Sequence, residues 1–156
     1  MLIFKALHVL SMFTMVTIFA GGEIYFSVAF LRRDVRALAF LHDTARRTLL
    51  PFIGLGMLIL GIAFGLLTAA TGGLDFFRPW LLIAYLLVIA FFVNSAVIGE
   101  RMLRVSRRAV EAEAGRIPTE EVVREIEASP RVPLLFFPIN AVIFAAIILD
   151  MVLKPF

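Results

Sequence analysis

Four apolar stretches, each long enough to cross a lipid bilayer, dominate the sequence. They cover residues 3–31, 48–71, 79–100 and 132–153. A transmembrane helix needs about 20 predominantly apolar residues, and every stretch meets that length. The composition agrees, since 62% of the residues are hydrophobic and only 17% are charged, which leaves too little polar surface for a soluble domain. The sequence therefore predicts an all-α integral membrane protein with a single domain over residues 1–156.

The arginines are concentrated in two connections between these stretches, residues 32–47 and 101–131. The other connection and the chain ends carry only Lys5, Arg78 and Lys154. Because loops rich in Lys and Arg stay on the cytoplasmic side, we expect both connections in the cytoplasm. Both termini are then on the periplasmic side of the inner membrane. Apolar residues at helical spacing predict short interfacial helices in these connections, the later one with Thr119 as its N-cap.

The short connections favour antiparallel packing of sequential helices. We therefore predict an antiparallel up-down bundle of four transmembrane helices with short cytoplasmic interfacial helices. In the second stretch, Gly54, Gly61 and Gly65 form a small-residue face that permits close helix packing. Such faces join helices within a chain or between subunits, so the expected partners are the lipid bilayer and either other membrane subunits or a second copy of the chain.

Several classes of function are excluded by what the sequence lacks. It contains no cysteine, which rules out disulfides and thiolate metal sites. The formal net charge is +3, but the basic connections also contain acidic residues and no interleaved aromatic residues, so no nucleic-acid partner is expected. No nucleotide-binding, zinc-protease or hydrolase motif is present.

The first apolar stretch carries polar groups that lipid would not accept. At about 100° per residue, all ionisable residues of this stretch lie within about 60° of the His8 direction, together with two methionines and a glycine. These are Lys5, His8, Met12, Met15, Gly22 and Glu23. Ionisable residues inside a membrane usually face a protein interior or a cavity. This stripe is therefore the strongest functional lead in the sequence.

His8 has three interpretations. It hydrogen-bonds at the outer interface, it ligates a metal or haem iron, or it transfers protons. A neutral imidazole in an apolar bundle is a common haem ligand, and Met12, Met15 and Gly22 would then complete a possible haem face. Met12 or Met15 cannot bind the opposite face of the same haem from the same helix, so a second ligand must come from elsewhere.

Glu23 has two interpretations. It either pairs with the arginines at the end of its helix, or it serves as a proton-relay or quinone-binding carboxylate. His8 and Glu23 are about 22 Å apart along a helix that rises 1.5 Å per residue. The two side chains therefore cannot share one metal site.

Short segments of the sequence resemble the first helix, and the loop into the third helix, of a group of small bacterial membrane proteins. The matching segments are KALHVL over residues 5–10, AGG over 20–22, and TGG followed by PWLL over 71–82. The group includes the HemJ-type protoporphyrinogen oxidases, the copper-resistance-D membrane domain and uncharacterised integral membrane proteins. The resemblance implies a four-helix fold with haem b bound at His8. The third stretch lacks the lysine and histidines of the HemJ-type proteins, so the resemblance favours the uncharacterised members.

Three functions follow as hypotheses. The first is a haem-binding or accessory, structural subunit of a larger membrane electron-transfer complex, without catalysis of its own. The second is a haem b-dependent membrane oxidoreductase that passes electrons to quinone, with Glu23 handling protons. The third is a small oligomeric transporter or channel component.

Overall fold

A computed structural model describes the backbone of residues 2–129 and 131–153, with side chains for 2–129 and 135–150. This part of the chain is helical and contains no strand. The helices are α1 (Leu2–Leu31), α2 (Val35–Arg47), α3 (Leu50–Thr71), α4 (Pro79–Asn94), α5 (Glu100–Glu113), α6 (Thr119–Glu127) and α7 (Arg131–Leu153). A π-helical segment, Ser95–Gly99, joins α4 to α5 without interruption.

Three helices are long and apolar enough to cross a membrane. They are Leu2–Leu31, Leu50–Thr71 and the continuous helix Pro79–Glu113, which comprises α4, the π segment and α5. Within α7, the described side chains form a shorter apolar segment, Leu135–Asp150, with Pro138 inside the helix. The protein is thus an all-helical chain with the helix lengths of a membrane protein.

The order of the helices in space differs from their order in sequence. α1 packs against both α3 and α7, and α7 packs against α4, which gives the row α3–α1–α7–α4. The short connection between α3 and α4 predicts that they are neighbours, yet they make no extensive contact within the described residues. The reason lies in α7, where Phe144 packs against Phe91 of α4 with 5.2 Å between ring centroids. These aromatic contacts hold α4 on α7 rather than on α3.

The contact between α1 and α3 uses the glycines of α3. A Cβ atom added to Gly61 would lie 2.6 Å from Sδ of Met12, and one added to Gly54 would lie 3.2 Å from a methyl carbon of Ile18. At Gly65 the added atom would lie 3.0 Å from the ring of His8. All three glycines therefore face α1 and let the two helices approach closely.

At the arginine-rich end, α2, α5 and α6 form a helical cap with its own apolar core. Leu38 of α2, Ala109 of α5 and Val122 of α6 are completely buried at its centre. The sequence predicts that α2 is an interfacial helix. In the structure, the apolar face of α2 is covered by α5. The cap is closed outside this core by ion pairs from Arg108 to Glu121 and to Glu125.

The start of α6 differs by one residue from the prediction. Thr119 is the first residue of the helix, and Pro118 occupies the cap position without a side-chain hydrogen bond. Pro118 has φ −66° and ψ 138°, so its ring fixes the extended backbone conformation that normally belongs to a cap residue. The threonine hydroxyl is therefore not required to start this helix.

Candidate functional site

A chain of hydrogen bonds connects three helices in the middle of the bundle. The side-chain amide of Asn140 in α7 donates to Oε1 of Glu23 in α1 at 2.6 Å. The amide of Asn94 in α4 donates to Oδ1 of Asn140 at 2.8 Å and reaches the carbonyl of Phe136 at 3.4 Å. Asn140 is completely buried and Glu23 is 7% exposed. The polar end of the α1 stripe is thus bound by α7 and, through it, by α4.

The packing of three helices explains why these side chains meet. Glu23 and Asn140 lie on α1 and α7, which pack together, and Asn94 is the last residue of α4, which packs on the other side of α7. The π segment Ser95–Gly99 begins directly after Asn94. Such single π turns occur frequently at functional sites, because they shift the register of the side chains that follow.

Two buried polar atoms in this region have no hydrogen-bond partner among the described protein atoms. They are Oε2 of Glu23 and the hydroxyl oxygen of Ser27. Ser27 is four residues after Glu23 and therefore lies on the same face of α1, where it is 6% exposed. Buried polar atoms are normally paired, so two unpartnered oxygens on one face of α1 distinguish this site from an ordinary interhelical hydrogen bond.

His8 lies in a different environment from Glu23. Its ring N–H at Nδ1 donates to the carbonyl oxygen of Gly61 in α3 at 2.6 Å, and the ring rests against Gly65. The interpretation that His8 forms a hydrogen bond therefore agrees with the geometry. This contact leaves Nε2 as the nitrogen that could bind another group.

The other residues of the predicted haem face do not join His8. Met12 packs against Gly61, and Met15 is 1% exposed in the apolar core beside Leu58 of α3. Gly22 has no neighbouring atom within 4 Å of an added Cβ. The two methionine side chains are therefore used for packing between helices. Within the described residues, no group of three or more His, Asp or Glu side chains could hold a metal ion.

His42 of α2 is a second partly buried histidine. Its Nδ1 atom is buried without a partner among the described atoms. Burial lowers the pKa of His42, and the positive charges of Arg46 and Arg107 lower it further against the opposing effect of Asp43. Protonation of the imidazole is therefore disfavoured in the folded chain.

In the sequence, Glu23, Asn94 and Asn140 are recognisable as polar residues within apolar stretches, but nothing there singles out Ser27 by itself. The available signal was its position one turn after Glu23 on the same face of the helix. The spacing of four residues suggests that Lys154 pairs with Asp150. Lys154 lies outside the described residues.

Comparison with known proteins identifies the family of the chain but no activity. Residues 2–155 match the family described as predicted integral membrane protein (DUF2269). No curated protein and no solved structure matches the chain. The match confirms a membrane protein from an uncharacterised family and gives no support to the HemJ-type or copper-resistance-D assignment. Because the match covers nearly the whole length, the chain belongs to the DUF2269 family of predicted integral membrane proteins.

Proposed function

We propose that the protein is an inner-membrane protein with four transmembrane helices that takes up and releases a proton at Glu23. The observation that carries this proposal is the buried carboxyl group, which is bonded at Oε1 by Asn140 and unpartnered at Oε2. Ionisable residues inside a membrane are expensive, and they commonly mark proton or ion pathways.

The energetic argument concerns the charge of this group. An isolated carboxylate in apolar surroundings is much more costly than a neutral carboxyl group. Among the ion pairs of the described residues none includes Glu23, and Asn140 supplies only a neutral amide. A bound proton removes the charge. The amides of Asn140 and Asn94 keep the carboxyl group in one orientation while the proton binds and leaves.

The proposed orientation gives protons a short route to the site. With the arginine-rich connections in the cytoplasm, as the distribution of positive charge favours, both termini are periplasmic. Glu23 then lies in the cytoplasmic half of α1, about 14 Å along the helix axis from Arg32 at 1.5 Å per residue. The buried hydroxyl of Ser27 lies between them and supports entry of protons from the cytoplasmic side.

A proton site of this kind suits an accessory subunit of a larger membrane assembly. In this proposal, the proton is supplied to, or removed from, chemistry that a partner subunit carries out. The task of such an accessory subunit would be proton transfer within the membrane.

Infrared spectroscopy of the protein in lipid bilayers tests the proton site. A protonated carboxyl group in apolar surroundings gives a C=O stretching band separate from that of a carboxylate. We expect such a band in the wild type, its loss as the pH is raised, and its absence from Glu23→Gln. The matched control is Glu100→Gln, which changes an exposed carboxylate on α5 that pairs with Arg104 and should leave the band unchanged. Identical pH titrations of wild type and Glu23→Gln would overturn the proposal.

Proton flux in liposomes separates the accessory role from transport. The accessory role predicts no flux above that of empty liposomes when the protein is reconstituted alone. Flux that is abolished by Glu23→Gln would instead assign the protein to the class of small oligomeric transporters or channel components.

Haem binding is a second candidate because of the hydrogen bond at His8. A histidine whose Nδ1–H is held by a backbone carbonyl has the tautomer and ring orientation of a metal ligand at Nε2. His8 alone would hold haem b, which would supply electron transfer. The test is a visible difference spectrum of the reduced and oxidised purified protein beside His8→Ala. A haem band that is lost in the variant supports this function, and a colourless wild-type preparation refutes it.

A further inference from the structure

A polar cavity of about 260 Å³ lies where the bundle meets the helical cap. It is lined by Phe30, Arg101, Arg104, Val105, Glu125 and Ser129. Phe30 is the penultimate residue of α1, and Arg101 is the second residue of α5, directly after the apolar sequence of α4 and the π segment. The cavity therefore lies at the level where apolar helix surface gives way to charged surface, which is the level of lipid headgroups in a bilayer.

The charges on its walls are separated by sign. The α5 wall carries the guanidinium groups of Arg101 and Arg104, and the α6 wall carries the carboxylate of Glu125. Arg101 has no ion pair or hydrogen bond among the described residues. Arg104 makes only an exposed pair with Glu100 at 3.4 Å, so its donors are incompletely used. The Glu125 side chain is 28% exposed and bonds Arg108 at 3.0 Å through Oε2, which leaves Oε1 available.

We propose that this cavity binds the headgroup of a zwitterionic aminophospholipid, of the phosphatidylethanolamine class. The phosphate would accept hydrogen bonds from Arg101 and Arg104, since guanidinium groups bind phosphate oxygens in forked geometry. The primary ammonium would lie against Glu125, and the Ser129 hydroxyl offers a further polar contact. Phe30 and Val105, which are buried in the apolar core of the cap, form the apolar part of the cavity lining. A headgroup without an ammonium fits less well, because it offers no positively charged donor to the remaining oxygen, Oε1, of Glu125.

Native mass spectrometry of the detergent-solubilised protein tests this assignment with three added lipids. We expect retention of phosphatidylethanolamine above phosphatidylcholine, whose quaternary ammonium cannot donate hydrogen bonds, and above phosphatidylglycerol, which has no ammonium. Arg101→Gln should lower phosphatidylethanolamine retention by about tenfold, the effect of one charge-assisted hydrogen bond. Because Arg101 has no partner within the described part of the fold, this variant should fold normally. The matched control is Arg116→Gln, an exposed arginine outside the cavity, which should bind as the wild type does.

Two further comparisons define the ligand. Glu125→Gln should remove the preference for phosphatidylethanolamine over phosphatidylglycerol while retaining phosphate recognition by Arg101. Soluble phosphoethanolamine should not raise the melting temperature of the protein in detergent, whereas a short-chain phosphatidylethanolamine should. Equal retention of the three lipids, a preference for phosphatidylglycerol in the wild type, wild-type binding by Arg101→Gln, or equal stabilisation by soluble phosphoethanolamine would each overturn the proposal.

Discussion

Replacing Asn140 by leucine tests whether the polar chain in the bundle is an energetic unit. Leucine has nearly the same size and removes both functions of the amide, the donor to Glu23 and the acceptor for Asn94. The site is completely buried, so water cannot replace either bond. Interhelical hydrogen bonds in membranes contribute about 0.6 kcal/mol each on average. Leaving a buried polar partner unpaired costs about 1–3 kcal/mol more.

The expected loss is therefore about 2–4 kcal/mol for Asn140→Leu. Asn94→Leu is the matched comparison and should lose less, because it removes the bond to Asn140 but leaves the donor to Glu23 in place. The double variant Glu23→Leu with Asn140→Leu should recover most of the loss, since no carboxyl group is then left without a partner.

Equilibrium unfolding in lipid–detergent mixed micelles gives these free energies directly. The decisive quantity is the coupling between Glu23 and Asn140 in the double-mutant cycle. A coupling near zero, or an unfolding free energy for Asn140→Leu within about 0.5 kcal/mol of the wild type, would refute the reasoning that the buried amide holds the carboxyl group.

Three further predictions concern other parts of the fold. Gly61→Val should lower the unfolding free energy by about 1–3 kcal/mol through overpacking against α1, whereas Gly56→Val, with no atom within 4 Å of the added Cβ, should not. Leu38→Ala empties a fully buried position in the cap and should cost about 2–5 kcal/mol with faster proteolysis of the cap; Phe40→Ala, at a position 68% exposed, is the control. The pKa of His42 is lower in the folded chain than its ordinary value of 6.5. As the pH falls below 6.5, the unfolded chain therefore binds a proton at His42 more readily than the folded chain does. Wild-type stability should therefore drop below that pH more than that of His42→Gln, and parallel pH profiles in thermal unfolding would contradict this.

The environment of α1 could be predicted from the sequence only in part. The helical period places His8 and Glu23 on one stripe and predicts that the stripe faces protein, because lipid disfavours both side chains. In the structure both residues do contact other helices. The period cannot assign the partners, however, since a stripe that extends over about 22 Å can meet different helices at its two ends. His8 meets α3, and Glu23 meets α7.

The cap shows the same limit in another form. Apolar residues at helical spacing in α2 indicate a face that is buried against something. The sequence of α2 does not distinguish burial against a membrane surface from burial against another helix. The choice depends on α5 and α6, and α5 begins more than 50 residues after α2 ends. Leu38 is buried because those helices return to the end of α1.

The long apolar stretches are enough to identify a helical membrane protein. Inside a membrane, such stretches must satisfy their own backbone hydrogen bonds, and helices do so. The sequence also determines which polar residues lie within those stretches and which glycines share one face of α3. The order of the helices, α3–α1–α7–α4, is visible only in the folded structure. The same holds for the hydrogen bond between Asn140 and Glu23. The folded structure also places Arg101 and Glu125 on opposite walls of one cavity. The physical reason is that helix periodicity fixes the direction of a side chain relative to its own axis, whereas its partner is fixed by packing between segments that are distant in sequence.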